Sequence, residues 1–265
     1  MTKSVFPPLS IDLIEDNLQT ERIGRKILVY KSTSSTNDVA AEYARNKKND
    51  GLVIFAEQQS AGRGRAGNFW TTGKSDSLLC SVLLTQSPIK GELLCLTTAV
   101  AVADSLGKIG KHHAKIKWPN DIMLAGKKVA GILLEAKPGK RRTSYILGIG
   151  INCHQRKDDF APELRKTATS IDIPSRSVCD RNSIAKTLLG SLDHWLITAE
   201  DNSEKVIEKW QELSIQLGHR VELIFNGKNF AGNCIGIDPQ KGLILHLDHG
   251  RIRFFDAAHT SIVKK

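Results

Sequence analysis

The chain has 265 residues, of which 40% are hydrophobic, and a formal net charge of +10. This length and apolar fraction suit one large domain with a small appendage. No run reaches the ~18 apolar residues of a membrane span, and the N-terminus carries no basic apolar leader, so neither a membrane protein nor a secreted one is expected. The five cysteines are scattered and odd in number, which predicts reduced thiols in the cytoplasm rather than disulfides or a zinc knuckle. The eight histidines include no His-Glu-x-x-His pattern.

Apolar periodicity predicts strands and helices that alternate along the first four fifths of the chain. Strands are expected at 26–30, 52–56, 77–85 and 144–152, a hairpin at 115–135, and helices after Ser35, at 93–106, at 181–198 and at 203–213. The strand at 148–152 is considered as a sheet edge that could pair with a second copy in a homodimer. The charged segment from 153 to 171, called the polar loop below, has no regular pattern, which is typical of a functional loop.

After Gly218 the sequence pattern changes to short β runs separated by tight-turn signals. Such spacing predicts a small β barrel. The expected fold is therefore α/β or α+β: a mixed-sheet catalytic domain at 1–215 and an SH3-like barrel at 216–265.

Residues 62–67 read Gly-Arg-Gly-Arg-Ala-Gly and are called the arginine loop below. The glycines imitate a dinucleotide fingerprint, but no helix is expected to follow them. Arg63 and Arg65 on a glycine-rich backbone predict a lid over a phosphate or carboxylate, and an exposed, solvated basic loop is the open alternative.

A second basic motif is Lys-Trp-Pro-Asn-Asp at 117–121. A lysine next to a proline, followed by an amide and a carboxylate, offers one fixed cation with hydrogen-bonding groups beside it. Most of the excess positive charge lies between residues 25 and 218, where both motifs fall, which favours an anionic nucleotide or an acidic protein as partner. Nucleic-acid binding remains open on charge alone.

These motifs together resemble the biotin protein ligase family over nearly the whole chain, from residue 26 to about 263. The segments in matching order are 35–37, Gln59 with 61–65, Trp70, 117–121, 131–133, 148–152, and Trp210 with Leu213. The resemblance implies a class II synthetase-like fold and a ligase that joins biotin to ATP as biotinyl-5′-AMP, with Mg²⁺ on the nucleotide. It also implies transfer of biotin to one lysine of a biotin carboxyl carrier protein, such as that of acetyl-CoA carboxylase.

The same resemblance implies the roles of individual residues. Lys117 and Arg65 are the catalytic candidates, and the polar loop is the segment that closes over adenine. The substrate-binding candidates are Ser35, Thr36, Asn37, Gln59, Gly62, Arg63, Gly64, Arg65, Trp70, Lys117 and Gly131. The ATP-binding candidates are Arg63, Lys117, Asn120 and Asn152. Metal ligands are left unassigned.

Two departures from the family are visible. Many relatives have basic residues where this chain has Ala66 and Asn68, so its arginine loop carries fewer cations. Regulatory relatives begin with a winged helix-turn-helix, for which the roughly 25 residues before the first strand are too few. The expectation is a monofunctional enzyme that binds no operator. A lipoate or octanoate ligase or transferase of the same fold is the nearest alternative.

Overall fold

The computed structural model describes residues 6–73, 75–110, 113–139 and 142–263. The strands are β1 (Lys26–Tyr30), β2 (Leu52–Ala56), β3 (Ser77–Leu84), β4 (Lys115–Lys117), β5 (Asp121–Leu124), β6 (Lys127–Pro138), β7 (Thr143–Asn152), β8 (Arg220–Phe225), β9 (Lys228–Asp238), β10 (Gly242–Leu247), β11 (Ile252–Phe255) and β12 (Thr260–Ile262). The helices are α1 (Ile11–Glu15), α2 (Thr36–Tyr43), α3 (Gly91–Gly110), α4 (Asp172–Ser175), α5 (Arg181–Asp201) and α6 (Ser203–Leu213). Among them, no helix is long and apolar enough to cross a bilayer.

Seven strands form a mixed sheet in the order β1-β2-β3-β7-β6-β5-β4. Only β1 and β2 run parallel; the other neighbours are antiparallel. The mixed-sheet prediction is confirmed. The prediction of an edge strand at 148–152 is wrong, because β7 is hydrogen-bonded to β3 on one side and β6 on the other. Residues 148–151 therefore have register partners on both sides and form no free sheet edge for a second copy.

The two faces of this sheet are covered differently. Strand residues alternate between faces, so Leu52 and Ile54 of β2 pack with α2, whereas Val53 and Phe55 join the larger core that holds α3, α5 and α6. The face shared with α2 also carries the glycines of β7. Because glycines leave space above a sheet, this face is where a ligand cavity can form.

Side-chain caps explain where several helices begin. Ser35 accepts a hydrogen bond from the Asn37 amide at the start of α2, and Asp180 accepts from the Asn182 and Ser183 amides at the start of α5. Asn202 caps α6 in the same way. Such caps satisfy amides that lack a partner in the helix, so α2 and α6 start at the predicted residues.

The second sheet is antiparallel, in the order β11-β10-β9-β8-β12. The rings of Phe225, Phe230 and Phe255 contact one another, and the Arg253 guanidinium lies 4.4 Å from the Phe230 ring centroid. The predicted small β unit is confirmed. Within the described residues, no ladder joins β11 to β12, so the strand pairing is open rather than a closed barrel.

Local differences from the expected elements have identifiable causes. The predicted hairpin strand at 115–124 is interrupted by a turn at 118–120, where Pro119 cannot donate to a ladder. Helix α3 extends beyond 93–106 at both ends, and the polar loop contains one 3₁₀ turn at Lys157–Asp159 before α4.

A buried ion pair joins β2 to α5. Arg181 Nη1 lies 2.8 Å from Glu57 Oε2, and the two side chains are 1% and 8% exposed. Burial raises the pKa of Glu57, but the contact with Arg181 and the Leu9 amide outweigh it, so the pKa of Glu57 is lowered. A carboxyl whose pKa is lower in the folded state stabilises the fold above its unfolded pKa, and this stability is lost as the pH falls through the folded pKa.

We therefore expect Arg181→Met to lower the free energy of unfolding at neutral pH by about 3 kcal/mol, because it leaves Glu57 buried without its cation. Urea unfolding at pH 7 measures this loss. The exposed pair Lys209–Glu212 supplies the matched control, since Lys209→Met should cost less than about 1 kcal/mol. Equal losses for the two variants would show that burial does not govern the Arg181–Glu57 pair.

Candidate active site

A cavity of about 630 Å³ lies over the glycine-bearing face of the first sheet. Ile146, Gly148, Gly150 and Asn152 alternate with apolar residues of β7 that point into the core. The arginine loop, the 117–121 segment, the polar loop and β12 all contribute to its walls. The predicted site residues that line it are Ser35, Thr36, Asn37, Gln59, Arg63, Gly64, Arg65, Trp70, Lys117, Asn120, Gly131 and Asn152.

Gly62 is the one predicted site residue outside this lining. Its carbonyl accepts a hydrogen bond from the Trp70 amide, 3.0 Å away. A Cβ at this position would lie 2.4 Å from the Trp70 carbonyl oxygen. Gly62 therefore permits the close turn of the arginine loop, and its contribution to the cavity is indirect.

The Trp70 ring covers two glycines on the cavity floor. Gly131 of β6 and Gly150 of β7 are register partners, and an added Cβ would come within 2.9 Å and 2.5 Å of the ring, respectively. Lys128 Nζ lies 5.6 Å from the ring centroid and 2.5 Å from Asp121 Oδ1. The glycine pair thus creates the space in which Trp70 packs.

One end of the cavity has a neutral polar network. Gln59 Oε1 accepts from the Thr36 amide at 2.7 Å and from Thr36 Oγ1 at 3.0 Å. Ser81 Oγ lies 2.7 Å from Thr36 Oγ1 and 2.6 Å from Asn37 Oδ1; its single proton serves one of them at a time. Gly148 gives the Asn37 amide room, because a Cβ there would lie 2.5 Å from Oδ1.

Ser81 was missed by sequence reasoning. It is a fully buried polar residue within the apolar run of β3, and this interruption was the available signal. Buried hydroxyls need partners, so a lone serine in such a strand indicates a polar neighbour on that face.

The two arginines of the arginine loop have different partners. Arg63 forms ion pairs with Asp38 at 2.7 Å and Glu135 at 3.2 Å. The hydrogen bond from Arg63 is the main cause that lowers the pKa of Asp38, and the same contact raises the pKa of Arg63. Although Arg63 lines the cavity, its charge is already balanced by two carboxylates.

Arg65 instead connects the arginine loop to the second sheet. Its guanidinium donates to the carbonyls of Ala257 and Thr260, and Nη1 lies 3.4 Å from Asn120 Oδ1. Arg65 therefore links the arginine loop, the 117–121 segment and the strand β12 at one edge of the cavity. The hydrogen-bond partners are neutral, and no carboxylate in the described residues forms an ion pair with Arg65, although its charge partly offsets the rise that burial causes in the pKa of nearby Glu92.

Lys117 ends β4 and lines the same cavity. Over the part of the chain that the structure describes, no carboxylate forms an ion pair with it. The following segment is held firmly: the Trp118 amide donates to Gln216 Oε1 at 2.6 Å, and Asn120 Nδ2 donates to the Ile132 carbonyl at 2.8 Å. Lys117 is thus a cation on a fixed backbone, available to an anion.

Gln216 is a second residue that sequence reasoning missed. It is 5% exposed, follows α6, and bonds both the amide and the carbonyl of Trp118. Nothing in its local pattern distinguishes it from an ordinary loop residue, because its partner lies 98 positions away.

Asn152 stands where β7 meets the polar loop. Its Nδ2 donates to the Thr169 carbonyl at 2.9 Å, and the loop is also fixed by the pair of bonds between Lys128 and the Thr167–Thr169 backbone. Phe160, Leu164 and Lys166 of the loop face the cavity. Asn152 therefore orients the loop that forms one wall of the site.

Comparisons with known proteins decide the family. The sequence profile of the biotin/lipoate A/B protein ligase family matches residues 29–152. The biotin–[acetyl-CoA-carboxylase] ligase of Mycobacterium tuberculosis is 32% identical over 249 residues, which are 90% of each chain. This chain belongs to the biotin protein ligase family.

Further relatives agree with this membership. The bifunctional ligase/repressor BirA of Bacillus subtilis is 31% identical over 94% of this chain and 78% of its own length. The solved biotin protein ligase of Aquifex aeolicus in complex with biotin and ATP superposes with a TM-score of 0.79, over 91% of this chain and all of that one. At 24% identity, this likeness shows the shared fold.

Proposed function

We propose that this biotin protein ligase homologue joins biotin and ATP to give biotinyl-5′-AMP, and then transfers the biotinyl group to a lysine of a biotin carboxyl carrier protein. In the first step a biotin carboxylate oxygen attacks the α-phosphorus, and pyrophosphate leaves. In the second step the lysine amine attacks the acyl carbon, and AMP leaves. The observation that carries the proposal is that Lys117 and Arg65 border one cavity.

Charge is the main physical problem of the first step. A carboxylate must approach a phosphate, so cations are needed to offset their repulsion and the charge that develops in the transition state. Within the arginine loop and the 117–121 segment, Lys117 and Arg65 are the cavity-lining cations that form no ion pair with a carboxylate. We assign Lys117 to the reacting oxygens, because its strand holds it in place.

Biotin recognition requires a different environment. The ureido ring of biotin is neutral and presents both hydrogen-bond donors and an acceptor, which suits the polar groups of Thr36 and Gln59. Ser81, which is fully buried outside the cavity lining, supports Thr36 from behind. The apolar ring and chain of biotin then lie along the Trp70 ring, which covers Gly131 and Gly150. This places the biotin carboxylate toward the cationic edge of the cavity.

Exclusion of water follows from the two loops. Biotinyl-5′-AMP is a mixed anhydride that water hydrolyses, so a closed cavity protects it until the lysine arrives. The arginine loop supplies one cover, and the polar loop supplies the other beside Asn152. We propose that Asn152 and Asn120 lie on the nucleotide side.

We propose that ATP enters as its Mg²⁺ complex, so the ion belongs to the substrate. Among the described residues, Asp121 carries the only carboxylate in the cavity lining. Its Oδ1 is already paired with Lys128 Nζ at 2.5 Å. Mg²⁺ prefers oxygen ligands and keeps several waters. Phosphate oxygens and water are therefore the expected ligands, with neutralisation of phosphate charge as the contribution of the ion.

The acceptor we propose is the carrier domain of acetyl-CoA carboxylase or a related carboxylase, as the name of the Mycobacterium tuberculosis relative states for that protein. The cavity is lined by Lys117, Arg65 and Lys166 around a volume of about 630 Å³, a size suited to a small ligand rather than to a duplex. We propose that the positive charge of this region serves to bind an anionic nucleotide.

Gly150→Ala should raise the KM for biotin about tenfold, since the new methyl group would displace Trp70 from the cavity floor. Steady-state biotinylation at saturating ATP measures the effect. Gly236→Ala is the matched control, because a Cβ at this strand glycine meets its nearest neighbour at an ordinary 3.7 Å. An unchanged KM in a folded Gly150→Ala protein would contradict the role given to Trp70.

The function is tested by exchange of labelled pyrophosphate into ATP. Exchange should depend on biotin and should be absent with lipoate or octanoate as the acid. Addition of a carrier domain should then yield one biotinylated lysine per domain. Exchange that depends on lipoate but not on biotin would transfer the assignment to the alternative acid.

A further inference from the structure

Three side chains with metal-binding atoms meet where the polar loop begins and ends. His154 lies two residues after β7, Asp172 begins α4, and Cys179 stands just before the capping residue of α5. None of them lines the cavity or has a part in the proposed reaction. Their sequence separation is irregular, which explains why cysteine and histidine spacing indicated no metal site.

The distances among these three residues are close to those of ligands on one ion. His154 Nδ1 lies 2.8 Å from Asp172 Oδ2 and 3.8 Å from Cys179 Sγ, and all three donor atoms lie within 4.8 Å of one another. Tetrahedral Zn²⁺ with its usual bond lengths places N and O ligands about 3.3 Å apart and either of them about 3.6 Å from an S ligand. Changes of up to about 1.2 Å in these separations would therefore bring the three atoms to ligand geometry.

The surroundings hold these donors in place. Asp172 Oδ1 accepts from the Cys179 amide at 2.8 Å, which leaves Oδ2 toward His154. The Asp172 amide donates to the Cys153 carbonyl at 3.1 Å, and the Phe6 ring stacks on the His154 ring at 3.8 Å. Outer hydrogen bonds of this kind orient the ligands of metal sites.

The three donors differ in burial. The His154 side chain is only 2% exposed. Asp172 and Cys179 are partly exposed, which gives an ion an entry path.

We propose that His154, Asp172 and Cys179 form a binding site for Zn²⁺, with water in the fourth position of the tetrahedron. This set of one imidazole, one carboxylate and one thiol suits zinc better than the harder ions Mg²⁺ and Ca²⁺. Bound zinc would tie the end of β7 to both ends of the polar loop and to the start of α5. The loop that covers the nucleotide side of the cavity would thereby be fixed at its base.

Metal titration of the reduced, chelator-treated full chain tests the site. Zn²⁺ should bind with one ion per chain by native mass spectrometry, and Co²⁺ should give a thiolate-to-cobalt charge-transfer band. His154→Ala and Cys179→Ala should each weaken Zn²⁺ binding at least about 100-fold, because each removes a direct ligand. Cys234→Ala, which removes a buried thiol in the second sheet, should bind as the wild type does.

Hydrogen exchange gives a readout independent of catalysis. Zinc should slow amide exchange in residues 156–168 of the wild type and leave it unchanged in Cys179→Ala. Absence of stoichiometric zinc in the wild type would overturn the proposal, as would equal affinity in all variants. Cys179→Ser repeats the test if Cys179→Ala does not fold.

Discussion

Lys117→Met is expected to slow formation of biotinyl-5′-AMP about 100- to 1,000-fold, the usual cost of removing one group that stabilises transition-state charge. The side chain faces the cavity without a carboxylate partner in the described residues, and its backbone is fixed by the bonds of Trp118 to Gln216. The loss should fall on kcat, since the interaction strengthens as charge develops. Rapid-quench measurement of a single turnover checks this.

Lys115→Met is the matched control for this variant. Lys115 lies on the same strand β4, but its ammonium donates to the Glu212 carbonyl, outside the cavity. We expect it to form the adenylate at the wild-type rate. A Lys117→Met protein with the same unfolding midpoint and the same single-turnover rate as Lys115→Met would refute the assignment of Lys117.

Arg65→Ala is expected to release biotinyl-5′-AMP about 10- to 100-fold faster than the wild type, with biotinylation of lysines on unrelated proteins as the result. The guanidinium holds the arginine loop to the Ala257 and Thr260 carbonyls and to Asn120, so its removal frees the cover of the cavity. Loss of a single hydrogen bond from a charged donor costs about 1.5–3 kcal/mol, which already corresponds to an effect of this size. Dialysis of the preformed adenylate complex measures the release rate.

Arg220→Ala controls for the loss of an arginine. Arg220 pairs with Glu222 and Asp248 on the second sheet, away from the cavity. Bystander lysines should be labelled no faster by this variant than by the wild type. Retention of the adenylate by Arg65→Ala as firmly as by Arg220→Ala would show that the arginine loop is closed by other contacts.

Local patterns predicted much of the fold because the relevant interactions are local. Strands β1 and β2 coincide with apolar runs that polar residues bound. Helices α2 and α6 start directly after residues whose side chains cap them. The arginine loop opens no α-helix, as its continuing turn residues indicated; it forms a single 3₁₀ turn at Arg65–Gly67. These features depend on neighbours a few positions away.

Local sequence patterns could not predict the features that depend on residues distant in the chain. The central position of β7 depends on β3 and β6 pairing with it, and the same alternating sequence could equally lie at an edge. The carbonyl partners of Arg65 are about 190 positions away, and the partners of Trp118 and Ser81 are likewise remote. The resemblance supplied the identities of cavity residues, but the contacts that orient them required the structure.

Gel filtration after incubation with labelled biotin and MgATP, without a carrier protein, tests the central claim most directly. The account predicts that labelled biotinyl-5′-AMP elutes with the wild-type protein. Lys117→Met should yield little adenylate, and Arg65→Ala should yield adenylate in the small-molecule fractions. Equal co-elution of the adenylate with all three proteins, or no adenylate from the wild type, would contradict the assignment of formation to Lys117 and of retention to Arg65.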